Sequence, residues 1–359
     1  MTSYGKNLKL TVFGTSHGDE IGMRLDGIPS GEQISYSELL AFCERRAPGK
    51  NAYSTSRKEA DKPVILSGFG KDLVSDGREI CAVIKNTNVR SSDYSSVNDI
   101  PRPSHADFAA IMKYGKDVDL RGGGHFSGRL TAPLCIAGGI CKQILERKGV
   151  YIGAHVSSVG SIDDLRFDKV NLTKEELLSI ALKDFPVISD ERGNEMKALI
   201  ENTRSKGDSV GGTVECAAIG IRAGLGEHMF DGVESRIASI VFGIPAVKGI
   251  EFGSGFYGSS LLGSENNDPF VTDGKSVRTK TNNAGGILGG MTTGMPVIFR
   301  CALKPTPSIA VEQDSVSLSR LENVKIKING RHDPCIAVRA VPVFEAACAI
   351  AVLDMMLDT

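Results

Sequence analysis

Strand and helix signals alternate in no fixed rhythm along this 359-residue chain, and that irregularity limits its fold more than any single motif does. Strand signals fall at "LKLTVFG", "KPVILSGFG", "REICAVIKN", "VYIGAHVSSVG", "GGTVECAAIGIRAG", "VKGIEFGSG" and "MPVIFRCALKP", which are short, rich in β-branched residues and mostly bounded by glycine. Helix signals are interspersed. Ser35 and Glu38 form a capping box ahead of Leu39, Leu40, Phe42 and Cys43, and the run stops at Ala47-Pro48-Gly49. Ser104 is placed to cap a second helix, with Asp107 at its third position and Gly115 at its end. Thr173 and Glu176 begin a third, surface helix. A mixture without a βαβ repeat predicts an α+β layered fold rather than a doubly wound sheet, and no Rossmann fingerprint appears. With no Pro/Ser linker and no internal repeat, residues 1–359 read as one domain.

Composition narrows the function classes. Hydrophobic residues make up 41% and charged residues 24%, the balance of a globular protein with a real core. A net charge of -1 argues against a general nucleic-acid binder, so any cationic site must be local. The eight cysteines lack C-x-x-C spacing and read as reduced, buried thiols, with no metal site expected. The longest apolar stretch, "AVPVFEAACAIAVLDMML", is broken by Glu345 and Asp354 and falls short of a membrane span. A cytoplasmic protein with neither nucleic-acid nor membrane partners is expected.

Six clusters carry potential chemistry. "FGTSHG" sets Ser16 and His17 between glycines at the end of the first strand. "RGGGHFSGRLT" puts three glycines and a serine turn before a long apolar helix, with Arg121 and Arg129 on either side. Unpaired N–H groups at a helix start suit a phosphate or carboxylate, although tight loop packing accounts for the glycines equally well. "PRPSHADF" stiffens Arg102 between prolines near His105, where the ring serves either as a packing residue or as a proton donor beside an anion. The run from Arg45 to Lys58, with Arg46 and Arg57, is either a solvated basic surface or part of a polyanion site. "GRHDPCIAVRAVPVFEA" gathers Arg331, His332 and Asp333 in a turn before a C-terminal helix expected to start near Pro342. "ALKPTPSI" adds Lys304 and two hydroxyls, Thr306 and Ser308. The polar stretch 263–286 has no hydrophobic period and reads as a long functional loop.

These motifs, together with "NNAGGILGG" and in this order from residue 13 to 346, resemble chorismate synthase across nearly the whole chain. The resemblance implies a β-α-α-β sandwich of two antiparallel sheets around a helical core, assembled as a homotetramer. It implies a carbon–oxygen lyase that converts 5-enolpyruvylshikimate 3-phosphate to chorismate by 1,4-anti elimination of phosphate, using reduced FMN without net oxidation. His17 would then protonate the departing phosphate, His105 would manage a proton beside the flavin ring, and Asp333 would accept one at its other reactive nitrogen. Substrate would meet Ser16, Arg46, Arg57, Arg102, Arg129 and Arg331. Cofactor would meet His125, Phe126, Ser127, Ala246, Gly289, Lys304, Pro305, Thr306, Pro307, Ser308, Arg331 and Arg46. The stretches 47–60 and 263–286 would be lids.

The sequence departs from the family pattern at Thr15, usually Glu, and at His125-Phe126-Ser127-Gly128, usually Arg-Ser-Ser-Ala. It departs also at Pro245, usually Asn, and at Ala52, where an NADPH-associated arginine usually stands. NADPH is the candidate reductant. The compact length favours a separate flavin reductase. Two other readings compete: a small-molecule phosphotransferase gripping ATP, for which magnesium carboxylates are not evident, and a non-catalytic flavin-binding protein.

Overall fold

The computed structural model describes residues 2–49, 53, 55, 59–86, 99–328 and 333–358. Its first sheet contains β1 (Thr2–Tyr4), β2 (Lys9–Gly14), β3 (Glu20–Asp26), β4 (Val64–Ser67) and β5 (Ile80–Lys85). They run in the order β1-β2-β3-β5-β4, every neighbour antiparallel. In β3 the buried Ile21, Met23 and Leu25 alternate with exposed Glu20, Arg24 and Asp26, so period-two patterning turns one face inward. That face lies on α3 (Thr131–Arg147), with α1 (Tyr36–Arg46) packed beside it; α2 (Asp107–Tyr114) lies on the chain between them.

The second sheet contains β6 (Tyr151–Val159), β7 (Ile162–Asp163), β8 (Gly212–Ile219), β9 (Val247–Phe252) and β14 (Val297–Leu303), in the antiparallel order β7-β6-β8-β14-β9. One face rests on α9 (Ala337–Met356), which also packs on α6 (Val233–Phe242). The other is covered by α4 (Lys174–Ala181) through Leu177 and Ile180, with α5 (Asp190–Ser205) beside β6 and β7. Two four-residue helices, α7 (Gly255–Gly258) and α8 (Gly263–Asn266), follow β9. Three hairpins complete the chain: β10 (Phe270–Thr272) with β11 (Val277–Thr279), β12 (Ile287–Leu288) with β13 (Met291–Thr292), and β15 (Gln313–Ser317) with β16 (Glu322–Ile326). Sheet, helix layer, helix layer and sheet form the expected β-α-α-β sandwich.

Contact between α3 and α9 is close because Gly138 has no side chain. A Cβ there would overlap Cα and Cβ of Ala346. Both helices are buried along nearly their whole length, so neither has the polar face of a surface helix. The two acids in the apolar run are each neutralised by a partner. Glu345 receives both terminal nitrogens of Arg45 at 2.7 Å. Asp354 accepts the backbone N–H groups of Lys6, Asn7 and Leu8, the last two at 2.7 Å, and Arg236 at 2.8 Å. Buried carboxylates are tolerated when paired in this way; Asp354 fastens the entry of β2 to the end of α9, and Glu345 ties α9 to Arg45 of α1. Among the described residues no helix is long and apolar enough to cross a membrane.

Three local expectations differ from the structure. Pro342 lies inside α9 rather than at its start; the lost N–H deprives only Val338 of a donor, and burial of both sides carries the helix through. Ser104 does not cap α2: it adopts φ 58, Lys304 donates to its carbonyl, and Ala106 holds the cap position without a side-chain bond. Segment 263–286 is not a free loop. It contains α8 and the β10–β11 hairpin, and Asp268 accepts from Thr281 Oγ1, Asn283 N and Ala284 N at 2.6–2.8 Å. Asn282 ties it further to the carbonyls of Lys169 and Pro296. Side-chain-to-backbone bonds thus replace the missing hydrophobic pattern.

Alanine exceeds glycine in helix propensity by about 1 kcal/mol, so propensity alone would make Gly138→Ala stabilising. The α3–α9 contact predicts the opposite sign, a loss of about 1–3 kcal/mol by overpacking. Urea unfolding decides between them: the midpoint falls if this contact sets the helix spacing, and an unchanged or raised midpoint contradicts it.

Candidate functional site

Helix α3 follows the glycine turn after one short helical turn, Gly128–Leu130, and α9 begins just after Asp333. The expected residues gather around these two helix starts. Gly122, at φ 56, lies so close to the His17 ring that a Cβ would overlap it, which is why the turn needs glycine there. The position a Cβ would take at Gly123 is 3.4 Å from His105 Nε2. His17 and His105 therefore flank one turn of backbone.

Each ring is oriented by its neighbours. Ser16 Oγ donates to the Arg121 carbonyl at 3.0 Å and so accepts from His17 Nδ1 at 3.2 Å. His105 Nδ1 lies 2.6 Å from Asp107 Oδ1. An ionised carboxylate only accepts, so the Nδ1 proton is fixed and Nε2 faces the glycine turn. Asp107 also takes Nε and Nη2 of Arg102, each at 2.7 Å. Burial opposes the Asp107 charge, but bonds from Arg102 and His105 outweigh it and hold the carboxyl well below the usual carboxylate range.

The segment from Lys304 to Ser308 closes one side. Ser308 Oγ accepts from Arg102 Nη1 at 3.3 Å, Lys304 Nζ donates to Ser104, and Lys304 N donates to Ala246 O at 3.0 Å. Burial, with the neighbouring Lys248 charge, draws the Lys304 ammonium below its usual range. Pro305 packs beside Gly211, Ser209 Oγ donates to Thr306 O at 2.7 Å, and Val210 N donates to Pro334 O at 2.8 Å. This brings the segment next to Asp333.

Asp333 Oδ2 pairs with Arg339 Nη1 at 2.8 Å, and Arg339 Nε donates to the Arg46 carbonyl at 3.0 Å. Burial raises the Asp333 carboxyl despite the Arg339 charge. Arg46 spends Nε on Thr131 Oγ1 at 2.9 Å, Nη2 on Gly128 O at 3.2 Å and Nη1 on Asp61. Arg129 also reaches Asp61 through Nη1, and its Nε lies 3.3 Å from Asn86 Oδ1. Asn86 Nδ2 donates to the carbonyls of Thr15 and Gly18, returning the chain of contacts to the His17 turn. Three buried polar atoms in this ring have no hydrogen-bond partner: Arg129 Nη2, Thr306 Oγ1 and Asp333 Oδ1.

Other candidates are placed differently. His125 Nδ1 bonds Gly14 O at 3.0 Å, Phe126 packs against Tyr114 at 6.2 Å between ring centres, and Ser127 Oγ accepts Arg129 N at 3.3 Å. Gly289 forms the exposed tip of the β12–β13 hairpin, where the nearest atom to a Cβ would be Met291 Cε. Arg57 and Arg331 lie outside the described residues, as do Ala52, His332 and half of the proposed lid at 47–60. Asp61, Asn86 and Arg339 were not anticipated. A lone arginine in the apolar start of α9 was a usable signal for Arg339; Asp61, inside the charged run "KEADKP", offered none. Among the described residues no cluster of three His, Cys, Asp or Glu could hold a metal.

Asp107 yields a pH test. Its folded-state pKa is depressed, so its stabilisation is complete above the unfolded value, about 3.9, and is lost as pH falls towards the folded value. Asp107→Asn should lose about 3–5 kcal/mol at pH 7, the cost of breaking a buried pair, and the gap to the parent should narrow steadily below about pH 4. Urea midpoints across that range read it directly; a gap independent of pH contradicts the pairing.

Comparison with known proteins shows the family. The chorismate synthase family model matches residues 8–357. A chorismate synthase from Lancefieldella parvula is 45% identical, with 99% of this chain and 96% of the relative aligned. One from Pyrococcus abyssi is 46% identical over 98% of this chain and 97% of the relative. A crystal structure of chorismate synthase superposes with a TM-score of 0.76 at 27% identity, covering 99% of this chain and 93% of that one. The chain belongs to the chorismate synthase family.

Proposed function

We propose that the chain eliminates phosphate from 5-enolpyruvylshikimate 3-phosphate in the 1,4-anti sense to give chorismate, a lyase step at the end of the common route to aromatic amino acids. The observation that carries this reading is the pair of imidazoles on either side of one glycine turn, beside an arginine whose buried Nη2 has no protein partner. The substrate bears a phosphate and two carboxylates. A nearly neutral protein recognises such a molecule only by concentrating cations, and Arg46, Arg102, Arg129 and Arg339 lie in this ring.

The roles follow from the hydrogen-bonding described. Arg129 grips an anionic oxygen through Nη2, with Arg57 and Arg331 as further contacts. Arg102 contributes charge while its own donors hold Asp107 and Ser308. His17, with Nδ1 committed to Ser16, protonates the departing phosphate from Nε2. His105 is held by Asp107 so that Nε2 exchanges its proton at the glycine turn. Asp333 favours its neutral form through burial, which suits a group that accepts and returns a proton.

The residues also fit a bound flavin: Thr306 Oγ1 is a buried hydroxyl with no partner, within a proline-stiffened segment that includes Lys304 and Ser308. Lys304, Pro305, Thr306, Pro307 and Ser308 would hold FMN together with Ala246 and the His125-Phe126-Ser127 turn, while Arg331 and Gly289 complete the set. Reduced FMN, when bound, supplies an electron-rich ring to a reaction with no net oxidation. We further propose a cytoplasmic homotetramer that receives its flavin reduced by a separate reductase rather than by oxidising NADPH itself.

Anaerobic assays with reduced FMN and the enolpyruvyl phosphate, read as chorismate absorbance and phosphate release, test the reading. His17→Ala and His105→Ala should each lower the rate by ~10²–10⁴, the range for a positioned acid or base. Unchanged turnover in either variant removes that histidine from the mechanism.

A further inference from the structure

Asp61 is 1% exposed and sits between two buried arginines, taking Nη1 of Arg46 on one oxygen and Nη1 of Arg129 on the other. Burial opposes its charge, but the two guanidiniums prevail and hold the carboxyl below its usual range. Glu59 Oε2 and Asn86 Oδ1 each lie 3.3 Å from Arg129 Nε. A guanidinium is planar, so fixing Nε and Nη1 also fixes the direction of Nη2. That nitrogen is buried and makes no hydrogen bond. A buried donor without a partner is costly, and an anionic ligand removes the cost.

We propose that Asp61 is a positioning residue: by bridging Arg46 and Arg129 it holds Arg129 with Nη2 aimed at an anionic oxygen of the substrate. The proposal rests on the function given above. Geometry supports it: Glu59 lies against Arg129 and Asp333 pairs with Arg339, whereas Asp61 is shared between Arg46 and Arg129. Asp61 also links Arg46 at the end of α1 to Arg129 just before α3, beside the bonds Arg46 itself makes to Thr131 and Gly128. Without the shared carboxylate the two arginines repel, and the planar edge of Arg129 turns from its fixed direction.

Calorimetric titration of 5-enolpyruvylshikimate 3-phosphate into the parent, Asp61→Asn and Asp61→Glu, with thermal midpoints and steady-state kinetics on the same samples, tests this. Asp61→Asn should bind the substrate at least about tenfold more weakly and raise KM by a similar factor, with kcat within about threefold, because a misplaced binding group costs uniform binding. Asp61→Glu should recover part of the affinity. It keeps the charge and so remains informative if the Asn variant does not fold. A lowered thermal midpoint with parental affinity and KM makes Asp61 a purely structural counter-ion and overturns the proposal. Binding without chorismate formation in the parent sinks the assigned reaction but leaves the Asp61 comparison readable; no binding to the parent overturns both.

Discussion

The backbone of α9 approaches α3 so closely at Gly138 and Ala346 that any side chain on the glycine would overlap it. This approach joins the two halves of the sandwich, because each helix also supports one sheet. It has a second consequence. The glycine turn lies one short helical turn before α3 and Asp333 lies just before α9, so the packing that builds the core also brings these segments together. Arg46, at the last position of α1, spans the gap by bonding Thr131 at the start of α3 while its carbonyl receives Arg339 from α9. The site is thus placed on rigid elements rather than on loops alone, the condition for holding a reacting geometry.

Charge is distributed in the molecule with the same economy. Glu345 and Asp354, deep in the apolar helix, are fully engaged by Arg45, Arg236 and backbone donors, and they serve the fold. Around the glycine turn the partnering is incomplete. Arg129, Thr306 and Asp333 each leave one buried atom unmatched. Natural proteins satisfy the great majority of such groups, and the proposed ligands would supply the partners these three atoms lack.

Much of the fold was legible in the sequence because it is written in local patterns. Ser35 and Thr173 cap the starts of α1 and α4, although only Thr173 closes the full box with Glu176, since Ser35 N donates to Gln143 instead of Glu38. Each strand signal rich in β-branched residues corresponds to a strand. Where the pattern is weak, elements were missed. Strand β3 is interrupted by Gly22, and α5 buries only Gly193, Met196 and Ile200 on a strongly polar background. Pro342 misled because tertiary burial overrides a local preference for helix starts. The histidines and glycines of the site were visible as motifs. Their partners were not: Asp61 meets Arg46 and Arg129 across separations of 15 and 68 residues, and only the packing of α1 on α3 sets those meetings.

Two imidazoles, a glycine turn and an arginine held by Asp61 would surround one anion-binding centre. A crystal structure of the protein grown anaerobically with FMN and the enolpyruvyl phosphate tests it most directly. The account predicts a phosphate or carboxylate oxygen within hydrogen-bond distance of Arg129 Nη2, with His17 and His105 on either side of the ligands. Ligands bound elsewhere, with the glycine turn untouched and Arg129 Nη2 still unpartnered, would contradict it.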